Sequence, residues 1–74
     1  AKLVIYRHGM GDEPVAVLPV QMRDGKAFAD GLKLADATGL PAAAAGPVAV
    51  RAFLGERYTL KWVPQTRRVY AVEK

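Results

Sequence analysis

Apolar and polar positions divide the chain into short runs of strand-like period, one stretch of helical period, and turn signals between them. Lys2-Leu3-Val4-Ile5-Tyr6-Arg7 is nearly continuous in apolar character and predicts a first strand, central in its sheet. Gly9 to Pro14 reads as a loop. Val15 to Met22 is a second β-prone run, but Pro19 has no amide hydrogen to give to a ladder. That predicts a sheet edge or a bulge.

Asp24-Gly25 supports two readings. It is a hairpin turn between Val15–Met22 and Lys26–Ala29, or Asp24 caps a helix from about Lys26 to Thr38. The helix has the better ending, with Gly39 at the left-handed position, then Leu40 and Pro41. Phe28, Leu32 and Ala35 would form its buried stripe, with Lys33 and Asp36 outside. Gly31 inside it costs roughly 1 kcal/mol against alanine. The helix is the preferred reading. Pro41 to Pro47, bounded by prolines and filled with alanine, is one helical turn or a packed loop. Val48 to Leu54 predicts another strand, and Gly55-Glu56 a tight turn into Tyr58.

The C-terminal third predicts a hairpin. Tyr58-Thr59-Leu60-Lys61-Trp62-Val63 alternates and is rich in strand formers, Pro64-Gln65-Thr66 supplies a turn, and Arg68 to Val72 is a second β-prone run. Two registers compete. Pairing Val63 with Arg67 puts Trp62 opposite Arg68, Leu60 opposite Tyr70 and Tyr58 opposite Val72. Pairing Val63 with Arg68 puts Trp62 opposite Val69 and Leu60 opposite Ala71, and gathers Lys61, Arg68 and Tyr70 on the other face. One residue of slip exchanges the faces of the second strand. The second register is favoured because it keeps arginine off the buried side.

The resulting order is β-β-α-β-β-β: a single small α+β domain over residues 1–74, with a mostly antiparallel sheet of about five strands ending in a meander and one helix packed on a face. A small all-β barrel is the alternative. With 74 residues and no cysteine, nothing staples this fold but apolar burial, for which a hydrophobic content of 51% suffices. Trp62 and Phe53 are expected in the core, Trp62 substantially buried. Self-association as a homodimer would add stability. One histidine and no cysteine exclude a conventional zinc site, and no cofactor or metal is expected. No apolar run reaches the ~20 residues of a membrane span and no signal peptide is visible, so a cytoplasmic protein without membrane contact is expected.

Lys2 to Gly9, KLVIYRHG, runs a strand into Arg-His-Gly and resembles the opening motif of the histidine phosphatase (phosphoglycerate mutase-like) superfamily. The resemblance covers about eight residues. It implies that His8 takes a phosphoryl group and Arg7 holds phosphate oxygens. That family also needs a second histidine and a further arginine in a much larger α/β domain, and His8 is the only histidine here. Gly9-Met10-Gly11 is followed by Asp12 and Glu13, the wrong charge for a phosphate loop. Asp24, Asp30 and Asp36 are spaced so as to scatter around a helix, and serine is absent from the chain. The inventory points away from an enzyme.

Charge points towards the hairpin. Residues 51–74 contain six basic and two acidic side chains, whereas residues 1–50 contain five of each, so the net charge of +4 lies in the last third. Four of the six aromatic residues lie there too. Cations neutralise phosphates and rings stack on bases, so the chain reads as a non-enzymatic binding or regulatory module. It would engage nucleic acid through Arg57, Lys61, Arg67, Arg68 and Tyr70. The alternative is a protein-interaction module that docks an acidic protein or self-assembles through a sheet edge.

Overall fold

A computed structural model of the protein describes residues 1–41 and 45–74, and its architecture is set by one apolar strand. Strand β1 (Lys2–Tyr6) carries Leu3, Val4 and Ile5, at most 4% exposed, and such a run is stable only with neighbours on both sides. It has them. Strand β2 (Ala16–Pro19) pairs antiparallel on one side and β7 (Arg68–Glu73) pairs parallel on the other. Strand β6 (Tyr58–Val63) completes a four-stranded sheet of order β2-β1-β7-β6.

Pro19 ends β2 on the sheet edge, as its missing donor requires, and the chain changes layer there. Val20 is buried and donates its N–H to the Ala1 carbonyl at 3.1 Å. Strands β3 (Gln21–Arg23), β4 (Lys26–Asp30) and β5 (Pro47–Ala49) then form a second, antiparallel sheet of order β3-β4-β5.

Asp24-Gly25 is the hairpin turn between β3 and β4. Both residues have positive φ, 51° and 77°, as a two-residue turn of matching twist demands. The expected helix from Lys26 is therefore corrected: Lys26–Asp30 is a strand, and helix α1 is Gly31–Thr38. Its cap is Asp30, whose carboxylate accepts the Leu32 N–H at 2.9 Å. Its end is where Gly39 predicts it. Gly39 sits at φ 74° and its N–H donates to the Ala35 carbonyl. The shorter helix buries Gly31, Leu34 and Thr38, not the stripe of Phe28, Leu32 and Ala35. Leu32 is 56% exposed, while Lys33 and Asp36 face solvent as expected.

The strand expected over Val48–Leu54 is also corrected. Only Pro47–Ala49 is extended; Val50–Leu54 is a short helix α2, followed by a 3₁₀ turn at Gly55–Arg57. Val50 and Leu54, four apart, are 1% exposed with half-buried Phe53 between them, and that spacing suits a helical turn. A strand would have put Arg51 on the same side as Phe53. The expected terminal meander does not form, because β5 pairs with β4 in the second sheet. The expectation for Pro41–Pro47 falls in part on residues 42–44, outside the described residues.

The fold is thus α+β: among the described residues it has two open and mostly antiparallel sheets with two short helices and no closed barrel. Leu3, Ile5, Val69, Ala71 and Tyr58 from the first sheet meet Val20, Ala29, Leu34, Val50 and Leu54 between the layers. The hairpin takes the favoured register, Val63 opposite Arg68, Trp62 opposite Val69 and Leu60 opposite Ala71. Among the described residues, no helix is long and apolar enough to cross a membrane.

Candidate nucleic-acid interface

Side chains alternate across a strand, so the registers of the first sheet fix which residues share its outer face. Three rows run across it. Pro19, Lys2, Arg68 and Val63 form the first, Val17, Val4, Tyr70 and Lys61 the second, and Tyr6, Val72 and Thr59 the third. No acidic side chain stands in these rows. Val17 and Val72 are 54% and 48% exposed, so the second sheet and the helices do not cover this face. The short dimension of the molecule, 19 Å, holds two layers about 10 Å apart and not three.

The apolar centre of this face is a half-buried pair of tyrosines. Tyr70 lies on β7 directly between Val4 and Lys61, and Tyr6 stands one row further along β1. Val4, 4% exposed, belongs to this side of the sheet and not to the core cluster. Diagonal neighbours on adjacent strands lie about 7–8 Å apart, close enough for two rings to form one platform. Lys2, Lys61 and Arg68 surround it, all exposed.

The five residues expected to form the site are not all brought together. Lys61, Arg68 and Tyr70 share the outer face. Arg67 is in the turn, at φ 54°, where its carbonyl accepts the Lys2 N–H at 3.0 Å. It lines a hollow with Gln21, Met22 and Arg23 instead. Arg57 sits in the 3₁₀ turn at the opposite end of the hairpin, about 20 Å away for strands of this length. Its carbonyl accepts the Lys74 N–H at 2.9 Å. In exchange the parallel pairing of β1 with β7 adds Lys2 and Tyr6. Their i, i+4 spacing in a strand puts them on one face, but nothing local says which strand lies alongside.

Trp62 departs from expectation. It points to the inner side, as the register requires, yet is 41% exposed. The second sheet ends short of it, and the space it faces is a cleft rather than core.

Arg7 and His8 line a shallow hollow with Tyr6, Asp12 and Glu73. The His8 backbone N–H donates to the Glu73 carboxylate at 2.9 Å, and its side chain is exposed. Two carboxylates at the rim oppose a phosphate there. Among the described residues, no cluster of three or more His, Cys, Asp or Glu side chains is placed to hold a metal ion.

Tyr58 has a clearly displaced ionisation. It is 3% exposed, and burial first, then the Glu73 carboxylate opposite it, push its phenol up, against smaller opposing effects of Arg7 and Arg57.

Compared with protein-family models, curated proteins and solved structures, the chain has no significant match in any of them, so its function is read from its own residues.

Proposed function

We propose that the protein is a non-enzymatic module that holds single-stranded nucleic acid against the outer face of its four-stranded sheet. The observation that supports this most is the row Val4-Tyr70-Lys61, bordered by Tyr6, Lys2 and Arg68, on an uncovered face with no carboxylate in its three rows. Aromatic rings on a sheet stack bases with little regard to sequence, and flanking cations take the phosphates. A duplex offers its bases only at groove edges, so a flat face of this kind suits an unpaired strand. Fluorescence anisotropy with a labelled single strand and the matching duplex tests it. Binding to the single strand that weakens with salt, and weakens further in Tyr70→Ala, is the expected result. Equal affinity for duplex, or an unaffected Tyr70→Ala, would count against it.

A second reading has its own support. Strand β6 is a six-residue edge of the first sheet, and an edge strand is a template for pairing with another chain. Under that reading the protein docks an acidic partner or a second copy along β6. A concentration-dependent dimer that persists in high salt, with no nucleic-acid binding, would favour it.

A further inference from the structure

The inner faces of the two sheets meet around Ala29, Ile5 and Leu34 but separate towards the β3–β4 turn. There Met22 and Ala27 belong to one sheet and Leu60, Trp62 and Val69 to the other, with Ala49, Val50, Arg51 and Ala52 along the side. The gap between them is a cleft of about 550 Å³, within the usual range for a small-molecule site. It stays open for a reason visible in the sequence. Gly25, Ala27, Ala49 and Ala52 are too small to fill it, and Met22 and Trp62 line it while remaining 38% and 41% exposed. A 74-residue chain has few large apolar side chains, and leaving two of them wet gives up burial it could use.

The mouth has a definite charge. Among the described residues, Lys26 and Arg51 are the charged residues lining the cleft, both exposed, and no carboxylate lines it. Lys26 follows the turn next to Ala27, so alternation turns its side chain to the other face and leaves Arg51 as the cation of the cleft. An occupant must therefore combine an apolar body with a negative group. The indole of Trp62 and the thioether of Met22 favour an aromatic body, and the planar fork of Arg51 favours a carboxylate. We propose that this cleft is a binding site for a small aromatic carboxylate, its ring between Met22 and Trp62 and its carboxylate at Arg51. This site lies on the opposite side of the first sheet from the tyrosine platform and does not depend on it.

The protein contains its own reporter, since Trp62 is its single tryptophan. Titration with 4-phenylbutyrate, followed by Trp62 emission and by backbone amide shifts, should saturate with a Kd of about 10⁻⁴–10⁻³ M for a ligand of this size. The neutral 4-phenylbutan-1-ol should bind about fivefold more weakly, because it loses the charge-assisted contacts. The variant Arg51→Gln should weaken the acid by the same factor and leave the alcohol unchanged, and Lys26→Gln should change neither. Perturbed amides should fall at Met22, Ala27, Ala52 and Leu60. The proposal is overturned by equal affinity of acid and alcohol, by shifts confined to the outer face around Tyr70, or by no saturation at about 10 mM, well above the expected Kd. The alcohol comparison is made on the unaltered chain, so it stands even if the Arg51 variant folds poorly.

Discussion

Trp62 and Val69 stand directly opposite each other on the inner face of the hairpin, yet Val69 is 6% exposed and Trp62 41%. The pairing is one of register, but burial is decided by the layer above, and that layer stops between them. Trp62→Ala should therefore cost about 1–2 kcal/mol rather than the 3–5 typical of a buried tryptophan. For a domain of this size, each kcal/mol lowers the melting temperature by about 4–8 °C. Thermal unfolding followed by circular dichroism should show a cooperative transition still above 37 °C in the variant. An unfolded variant at that temperature would mean the indole contributes as a core residue.

Leu34 provides the contrast. It is fully buried on α1, and removing three of its carbons in Leu34→Ala should cost about 2–5 kcal/mol. Urea denaturation should separate the two alanine variants clearly, with Leu34→Ala the less stable.

Tyr58 has its hydroxyl buried with no hydrogen-bond partner among the described residues. A buried unpaired hydroxyl costs about 1–3 kcal/mol, so Tyr58→Phe should leave the fold intact and raise stability by about 1 kcal/mol. The variant should also change the pH dependence. Because the folded-state pKa of Tyr58 lies above its ordinary value of 10.0, the folded state holds the phenolic proton more tightly than the unfolded chain. Its contribution is fully present below pH 10 and is lost as pH rises through the folded pKa. Denaturation midpoints measured between pH 8 and pH 11 should fall at the alkaline end in the parent and fall less in Tyr58→Phe. Parallel curves would assign the alkaline loss to other groups.

The outer face predicts a modest salt effect. Lys2, Lys61 and Arg68 provide about three phosphate contacts, and single strands release about 0.7 counterion per contact, so the log–log slope should be about −2. Lys61→Ala together with Arg68→Ala should bring it to about −0.7, while Tyr70→Ala should lower affinity at every salt concentration by about 1–3 kcal/mol and leave the slope alone. Arg57→Ala, at the far end of the hairpin, should change neither. Anisotropy titrations at several salt concentrations distinguish these outcomes.

His8 is an internal control for the non-enzymatic reading. Its side chain is exposed beside Asp12 and Glu73, and the chain has no second histidine. Neither the parent nor His8→Ala should hydrolyse a generic phosphomonoester. Turnover abolished by His8→Ala would reverse that reading.

What the sequence determined by itself was everything set by contacts a few residues apart. The apolar run of β1, the sheet-edge position at Pro19, the Gly39 helix end and the Val63–Arg68 register follow from periodicity, a missing donor, a left-handed φ and the avoidance of a buried arginine. Asp24 is the cap that local pattern suggests, but the positive φ at both Asp24 and Gly25 makes them a hairpin turn, and the cap is Asp30, which the pattern does not single out. Only the tertiary structure decided what lies beside what across the chain. The parallel contact of β1 with β7 joins residues more than sixty positions apart, and it brings Lys2 and Tyr6 to Lys61, Arg68 and Tyr70. The pattern of Val48–Leu54 predicts a strand, but burial of Val50 and Leu54 against β4 and β5 chose a helical turn from Val50 on. The separation of the two sheets left Trp62 at a cleft. Pairings at such range depend on how whole layers fill the space between them, and that volume is a property of the assembled sheets rather than of any one segment.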